Sequence, residues 1–331
     1  MRVGKTWQPA EGDPRNLLLR PFDGTHDDLA ALATVRNETL RPITAADDFT
    51  EMGASDIDPF YNRPPGFVLP DNSWLMFLGD EPVAAVVVYP RAFFHDRPPG
   101  NFDLYVVPRL RRHGLGSRLL AHVEQAAAHR GHRTLETTIA AEDASSNSFL
   151  LEHGFKVVGQ SSHMMRTGEA NLPQIDLPDG FSIRSLFDLG EPPELYMETT
   201  NRLGAYDLNY SLLTPEELER MVSAGGWDPG GVLFLLDPAR RIVGVIRAGR
   251  SDGATGHLHE IRLEPSLRGA GLGSAMVAAA LRHLSDAGVS RVELDTTGDN
   301  SPAHNLALKA GFTVTHHWHH FLKPLAPAGS E

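Results

Sequence analysis

Two stretches of this 331-residue chain, 157 residues apart, align without a gap, and this internal duplication limits the possible folds more than any other feature. Pairing Pro108–Phe155 with Pro265–Phe312 leaves 13 of 48 positions identical, where unrelated segments of ordinary composition match at roughly 3. The shared residues are mostly of turn and loop type: Pro108/Pro265, Arg111/Arg268, Gly114/Gly271, Gly116/Gly273, Ser117/Ser274, Gly154/Gly311 and Phe155/Phe312, with Glu136/Glu293 among them. A duplicated fold that keeps its backbone turns while its packing residues drift leaves this pattern. The length suits two domains with separate cores. The segment Thr167–Gly180 carries Gly, Pro and Asp without periodicity and reads as the linker, so the expected domains are residues 1–171 and 172–331.

At the start of each repeat lies Arg-x-x-Gly-x-Gly, between an apolar strand and an amphipathic helix. The first copy includes Val106, Val107, Arg111, Arg112, His113, Gly114, Leu115, Gly116 and Ser117. The second includes Ile261, Leu263, Arg268, Gly269, Ala270, Gly271, Leu272, Gly273 and Ser274. Glycines at these places let successive backbone N–H groups converge, and the following helix adds the positive end of its dipole, so each loop suits a diphosphate. The first copy is also basic, through Arg109, Arg111, Arg112, His113 and Arg118. Cations at a helix start are unfavourable unless an anion binds there.

Composition excludes several classes. The formal net charge of −12 disfavours nucleic acid. No run of 18 apolar residues is present and the first residues lack an apolar signal core, so a cytoplasmic protein with no membrane partner is expected. The absence of cysteine removes disulfides, a thiolate nucleophile and Cys-ligated zinc. The run His316-His317-Trp318-His319-His320 reads as an edge hairpin, and no metal is expected there. Residues 1–15 read as an arm.

Strands are expected near 17–19, 73–78, 83–89, 102–107 and 134–139, with a terminal strand pair, a hairpin, over 155–165 and helices at 25–40, from the glycine loop to 129, and at 144–152. The second half repeats this order, giving a mixed α/β fold. That order, with a Pro three residues before Arg111-x-x-Gly114-x-Gly116 and Arg268-x-x-Gly271-x-Gly273, and with Asn300-x-x-Ala303-x-x-Leu306 leading into Gly311-Phe312, resembles the GNAT superfamily of acyl-CoA-dependent N-acyltransferases. Two copies in one chain resemble the tandem GNAT proteins that include mycothiol synthase. The resemblance implies acetyl-CoA as cofactor, up to one per domain. Its diphosphate would lie on the loop amides and its pantetheine arm between two strands that splay apart, with the thioester held by the backbone of the fourth strand. It also implies direct transfer of the acetyl group to an amine, here expected to be a small-molecule amine; the duplication supplies within one chain what a dimer otherwise would, so a monomer is expected. A CoA-binding regulatory protein, or acetylation of protein lysines or N-termini, is the alternative.

The chemistry asks for a base, because an alkyl amine of pKa about 10 arrives protonated. The 157-residue offset pairs Asp103 with Glu260 on the fourth strand of each half. Strict alternation puts Glu260 and Arg262 on one face, and His257, His259 and Ile261 on the other. Glu260 is the expected base and His259 the second candidate. Asn300 is an expected cofactor or active-site contact, and its counterpart is Asp143. The resemblance places a tyrosine acid where this chain has Leu150 and Ala307, and His304 is a candidate substitute. With Asn300 and the longer carboxylate, the C-terminal domain is the expected catalytic one. The N-terminal domain is expected to bind CoA without turnover.

Overall fold

The computed structural model describes residues 17–43, 49–61, 69–90, 100–168, 174–206, 212–223, 227–252, 254–298 and 302–325, so the arm at 1–15 and Asn300 lie outside the described residues. In chain order the first elements are β1 (Leu17–Pro21), α1 (His26–Leu40), α2 (Ala54–Tyr61), β2 (Ser73–Leu78), β3 (Glu81–Pro90), β4 (Gly100–Val106), α3 (Leu115–His129), β5 (Thr134–Ala140), α4 (Ala144–Glu152) and β6 (Lys156–Thr167). They are followed by β7 (Ser182–Ser185), α5 (Leu186–Leu189), α6 (Glu194–Gly204), α7 (Pro215–Ser223), β8 (Val232–Leu236), β9 (Ile242–Asp252), β10 (Thr255–Leu263), α8 (Leu272–Asp286), β11 (Arg291–Thr297), α9 (Pro302–Lys309) and β12 (Thr313–Pro324).

These elements form two compact units that do not follow a single cut in the chain. The first takes the chain up to Ile139, Asp143–Val158 and the end from His320; the second takes Ala140–Glu142 and Gly159–His319. A division at residues 171 and 172 therefore describes the sequence repeat, whereas the compact units each draw on both halves of the chain.

In the first unit β1, β2, β3 and β4 are joined antiparallel, β5 lies parallel to β4, and the end of β12 follows β5. Strand β3 is apolar on both faces from Val83 to Val88, each residue at most 2% exposed, because α1 and α3 both pack on it. The segment from His320 supplies Phe321 to this core, 1% exposed. It also supplies Lys323, whose Nζ meets Glu124 at 2.6 Å, and Leu325, whose N–H donates to the Arg133 carbonyl at 2.8 Å.

Helix α1 starts where the sequence places it, with the Thr25 hydroxyl accepting from the Asp28 N–H at 3.3 Å. Asp28 itself is buried and accepts from the Arg20 guanidinium at 3.0 and 2.5 Å and from the Asp23 N–H at 2.6 Å. Burial pushes this carboxyl up, but the Arg20 and Asp23 hydrogen bonds outweigh it and leave the pKa below the ordinary value. A depressed carboxyl contributes stability above its unfolded pKa, about 3.9, and that contribution is lost as pH falls through the folded pKa. Asp28→Asn is expected to destabilise the first unit by about 2–3 kcal/mol at pH 7, since it strands a cation that keeps partial access to water. Urea titrations at pH 7 and pH 3 check this: the gap between variant and wild type should narrow at pH 3, and equal gaps would refute the pairing.

The sheet of the second unit runs β12-β6-β11-β10-β9-β8-β7. Strand β10 is parallel to β11, and the pairs β9/β10, β8/β9, β7/β8 and β6/β11 are antiparallel. Helix α8 packs with Leu233, Leu235, Ile246, Ala248 and Leu258 on one face. Helices α6 and α7 pack with Val232, Phe234, Leu236 and Val245 on the other. Met164 of β6 is fully buried in the α8-side core.

The expected hairpins at 155–165 and 316–320 are corrected by the structure. Each is part of one uninterrupted twelve-residue strand, β6 and β12. The run His316–His320 contains no Gly, Pro, Asn or Asp with which to turn. Its His317 instead reaches the Ser162 hydroxyl at 3.1 Å.

Candidate functional site

In both units a parallel pair of strands starts and then parts. Strand β4 meets β5 only at Gly100↔Leu135 and Asn101↔Glu136. Strand β10 meets β11 only at Thr255↔Arg291, Gly256↔Val292 and His257↔Glu293. Beyond these pairs β4 and β10 continue against β3 and β9 on their other edge, to Val106 and Leu263. One backbone edge of each thus faces the opening.

At the end of each opening the chain makes a short 3-10 turn, Pro108–Leu110 or Pro265–Leu267, and enters α3 or α8. Gly114 and Gly271 are the N-caps, at φ of 77° and 81°, and neither helix start has a side-chain cap. The first-turn amides therefore have no side chain to donate to. Leu115 and Leu272, at most 2% exposed, anchor these starts in the cores. Gly116 and Gly273 lie where a Cβ would come within 3.3 Å of Phe149 or Leu306, so any side chain there would press α4 or α9 back by a few tenths of an ångström.

The motif arginine has a structural role in both copies. Arg111 Nε donates to the Val106 carbonyl at 3.3 Å, and Arg268 Nε to the Leu263 carbonyl at 3.4 Å, tying each loop back to its strand. Arg111 Nη2 also reaches the Thr39 carbonyl at 3.4 Å. Val107 offers no free amide, since its N–H donates to Val83 at 3.0 Å.

The two loops differ at Arg112 and Gly269. Both take left-handed backbone, φ 66° and 85°, at a cost of roughly 1–2 kcal/mol for the arginine. Arg112, Ser117 and His153 line a cleft of about 310 Å³ in the first unit, together with Leu104 and Val106. There His153 Nδ1 lies 2.7 Å from the Phe149 carbonyl and Nε2 lies 2.9 Å from the Ser117 hydroxyl. His113 Nδ1 lies 2.8 Å from the Arg111 carbonyl. Ala270 and Ala310 stand in the second copy where the first has His113 and His153.

The expected alternation along β10 is corrected by a bulge. Register with β9 runs Leu258↔Ala248 and then Glu260↔Arg247, so His259 is an extra, unpaired residue. Leu258 and Ile261 both pack toward α8, which puts His257 and Ile261 on opposite faces instead of together. Strand β4 has no such shift. Gly100 and Gly256 match in register with β5 and β11, 156 residues apart, whereas Asp103 and Glu260 are 157 apart. The second copy has therefore gained one residue, His259, immediately before its carboxylate.

The carboxylates have different surroundings. Asp103 accepts from the Tyr89 and Tyr105 hydroxyls, both at 3.2 Å, one on each oxygen. Glu260 accepts from the Tyr196 hydroxyl at 2.9 Å, and Arg262 Nη2 lies 3.4 Å from its other oxygen. His259 is pushed down to about 3 by desolvation and then by Arg247 and His257; its exposed ring edge moderates that shift without reversing it. It is therefore neutral at pH 7 and a weak base. His304 is 6% exposed and bonded to the Thr296 hydroxyl at 3.1 Å. Leu150 and Ala307 are buried at 3% and 2%. Sequence reasoning named Glu260 but missed Tyr196, which reaches it from α6, and Arg247 of β9, which reaches the Tyr196 hydroxyl. Only the spacing of Gly100 and Gly256 signalled the bulge.

The model of the acetyltransferase (GNAT) family matches residues 36–155 and 203–312, which include both loops and both carboxylates. Among curated proteins, mycothiol acetyltransferase of Arthrobacter sp. (strain FB24) is 28% identical over 220 residues, 65% of this chain and 67% of that protein. The mycothiol acetyltransferase of Actinosynnema mirum is 30% identical over 213 residues, 64% and 70% of the two chains. Among solved structures, a GCN5-related N-acetyltransferase from Sphaerobacter thermophilus superposes with a TM-score of 0.75 at 21% identity, covering 94% of this chain and 96% of that one. A tandem GNAT protein from the clavulanic acid biosynthesis pathway gives 0.68 at 20% identity, covering 95% and 100%. Two family matches on two such sites make this chain a tandem member of the GNAT acetyltransferase family.

Proposed function

We propose that the second unit transfers an acetyl group from acetyl-CoA to a primary amine of a small molecule, with Glu260 as the base. The parted strands β10 and β11, with an uncapped helix start at one end and Glu260 beside the opening, are the observation that carries this reading. The residues fit the cofactor: Gly273 packs its bare Cα close to Leu306, where a Cβ would be tight, and the α8 amides suit a diphosphate. Acetyl-CoA, when bound, supplies the activated acetyl group.

The chain's own residues orient the substrates and move the proton. The α8 amides and the open edge of β10 at Ile261 and Leu263 hold the two ends of the cofactor. Glu260 takes the proton of the incoming ammonium, directly or through a water, so that the amine lone pair is free to attack. The new C–N bond forms as the C–S bond breaks, the second proton leaves the nitrogen for the departing thiolate or for water, and the proton on Glu260 returns to solvent. A thiol of pKa about 8.5 leaves tolerably as thiolate, which suits a chain with Ala307 at the acid's position. The acetyltransferase relatives are named for mycothiol, which supports a small acceptor over a protein.

In the first unit we propose CoA binding without turnover. Asp103 is shorter by a methylene and is held between two sheet tyrosines, and the cleft carries Arg112 and His153 beside its helix start. The test is thiol release from acetyl-CoA with a panel of primary amines. Glu260→Gln is expected to lower kcat by about 10²-fold or more, and full activity in that variant would remove Glu260 from the role. Binding of CoA with no thiol release from any amine would favour the regulatory alternative.

A further inference from the structure

The tyrosine on Glu260 comes from a helix, unlike the tyrosines on Asp103, and its hydrogen-bond direction is fixed by its neighbours. Arg247 Nε lies 3.3 Å from the Tyr196 oxygen. Arginine can only donate, so the phenol oxygen accepts from it, and the phenol hydrogen goes to Glu260 Oε2 at 2.9 Å. Tyr196 is 1% exposed and its ring packs edge-on against Trp227 at 5.6 Å, so the hydroxyl has one rigid position. Burial, then the Glu260 charge, raises the phenol well above its ordinary value, so it stays protonated as a donor through the working pH range. For the same reason it is a poor acid toward a thiolate.

We infer that Tyr196 is a positioning residue that fixes the orientation of Glu260 by donating to Oε2, so that Oε1, which Arg262 Nη2 reaches at 3.4 Å with one lone pair to spare, is the oxygen that meets the acceptor. The inference rests on the reading of Glu260 as the base. The groups bonded to this carboxyl are Tyr196 from α6 and Arg262 from β10, with Arg247 from β9 acting through the phenol. A hydrogen bond to an ionised group favours the ionised form, and losing it raises the carboxyl pKa. The shorter Asp103 reaches tyrosines already held in the sheet, whereas Glu260, longer by a methylene, has its donor brought to it by α6. The same helix thus carries a packing residue and a control on the base.

The experiment titrates the full-length protein, labelled with 13C at the glutamate carboxyls, by NMR, with Glu260 assigned by its loss in Glu260→Gln. Tyr196→Phe keeps the buried ring and removes only the donor. It is expected to move the acidic limb of kcat/KM upward together with the Glu260 carboxyl titration, with KM for acetyl-CoA unchanged. Incorporation of 3-fluorotyrosine at 196 strengthens the donor without removing it and is expected to shift both in the opposite direction. This arm decides the matter even where the phenylalanine variant folds poorly. A Glu260 titration that is the same in all three proteins overturns the inference. Retained turnover in Glu260→Gln instead overturns the base assignment, which the carboxyl titration does not depend on.

Discussion

Gly273→Glu is expected to abolish acetyl transfer while Gly116→Glu leaves kcat near that of the wild type. Both glycines sit at first-turn positions where a Cβ would already press on a side chain, Leu306 or Phe149, at 3.3 Å. A glutamate there fills the cradle and places a carboxylate where the diphosphate would lie. A like charge in such a contact costs several kcal/mol, or roughly 10²–10⁴-fold in affinity. The loss should appear in turnover only for the unit that performs the chemistry, proposed to be the second. Steady-state thiol release, with calorimetric titration of CoA beside it, separates the two roles: Gly116→Glu should remove one binding event and keep the rate. The reverse pattern would assign catalysis to the first unit.

Phe321→Ala is expected to destabilise the first unit by about 3–5 kcal/mol, although residue 321 stands ten residues from the end of the chain. Its ring is 1% exposed in a core built otherwise from Leu17 to Phe155. Truncation to alanine deletes a large buried side chain and leaves a cavity that the sheet can close only in part. Hydrogen exchange on the intact protein tests the location as well as the size: protection should fall in β3 and α3 more than in β9 and α8. A loss confined to the second unit would contradict the placement of the chain end.

How much of the site was legible depended on the range of the interaction that makes each feature. The two phosphate-type loops could be read because a left-handed φ at Gly114 and Gly271, a proline before the turn and an uncapped helix start are all set within a few residues. The α1 start at Thr25 and the extent of α4 were legible for the same reason. Glu260 was found because the repeat supplied its counterpart Asp103. Its surroundings were not, because Tyr196 is 64 residues from it in the chain and meets it only through the packing of α6 on the sheet, while Arg247, 13 residues away, comes opposite it only through the shifted β9/β10 register. The face assignment of His257 failed because one inserted residue, His259, reverses the alternation without any mark in local propensity.

By itself the sequence determined a duplicated α/β fold, the two amide-lined loops, the carboxylate beside each opening and the absence of any thiol. Only the tertiary structure decided which strand completes which unit, that the arginines of the motif hold their loops to the strand ends, and that a buried phenol directs one oxygen of Glu260. The division has a physical cause. Turns and caps answer to backbone sterics and nearby hydrogen bonds, which a short stretch of residues fixes. Strand pairing across 128 residues, as between Glu293 and Met165, is set by which apolar faces the whole chain can bury together.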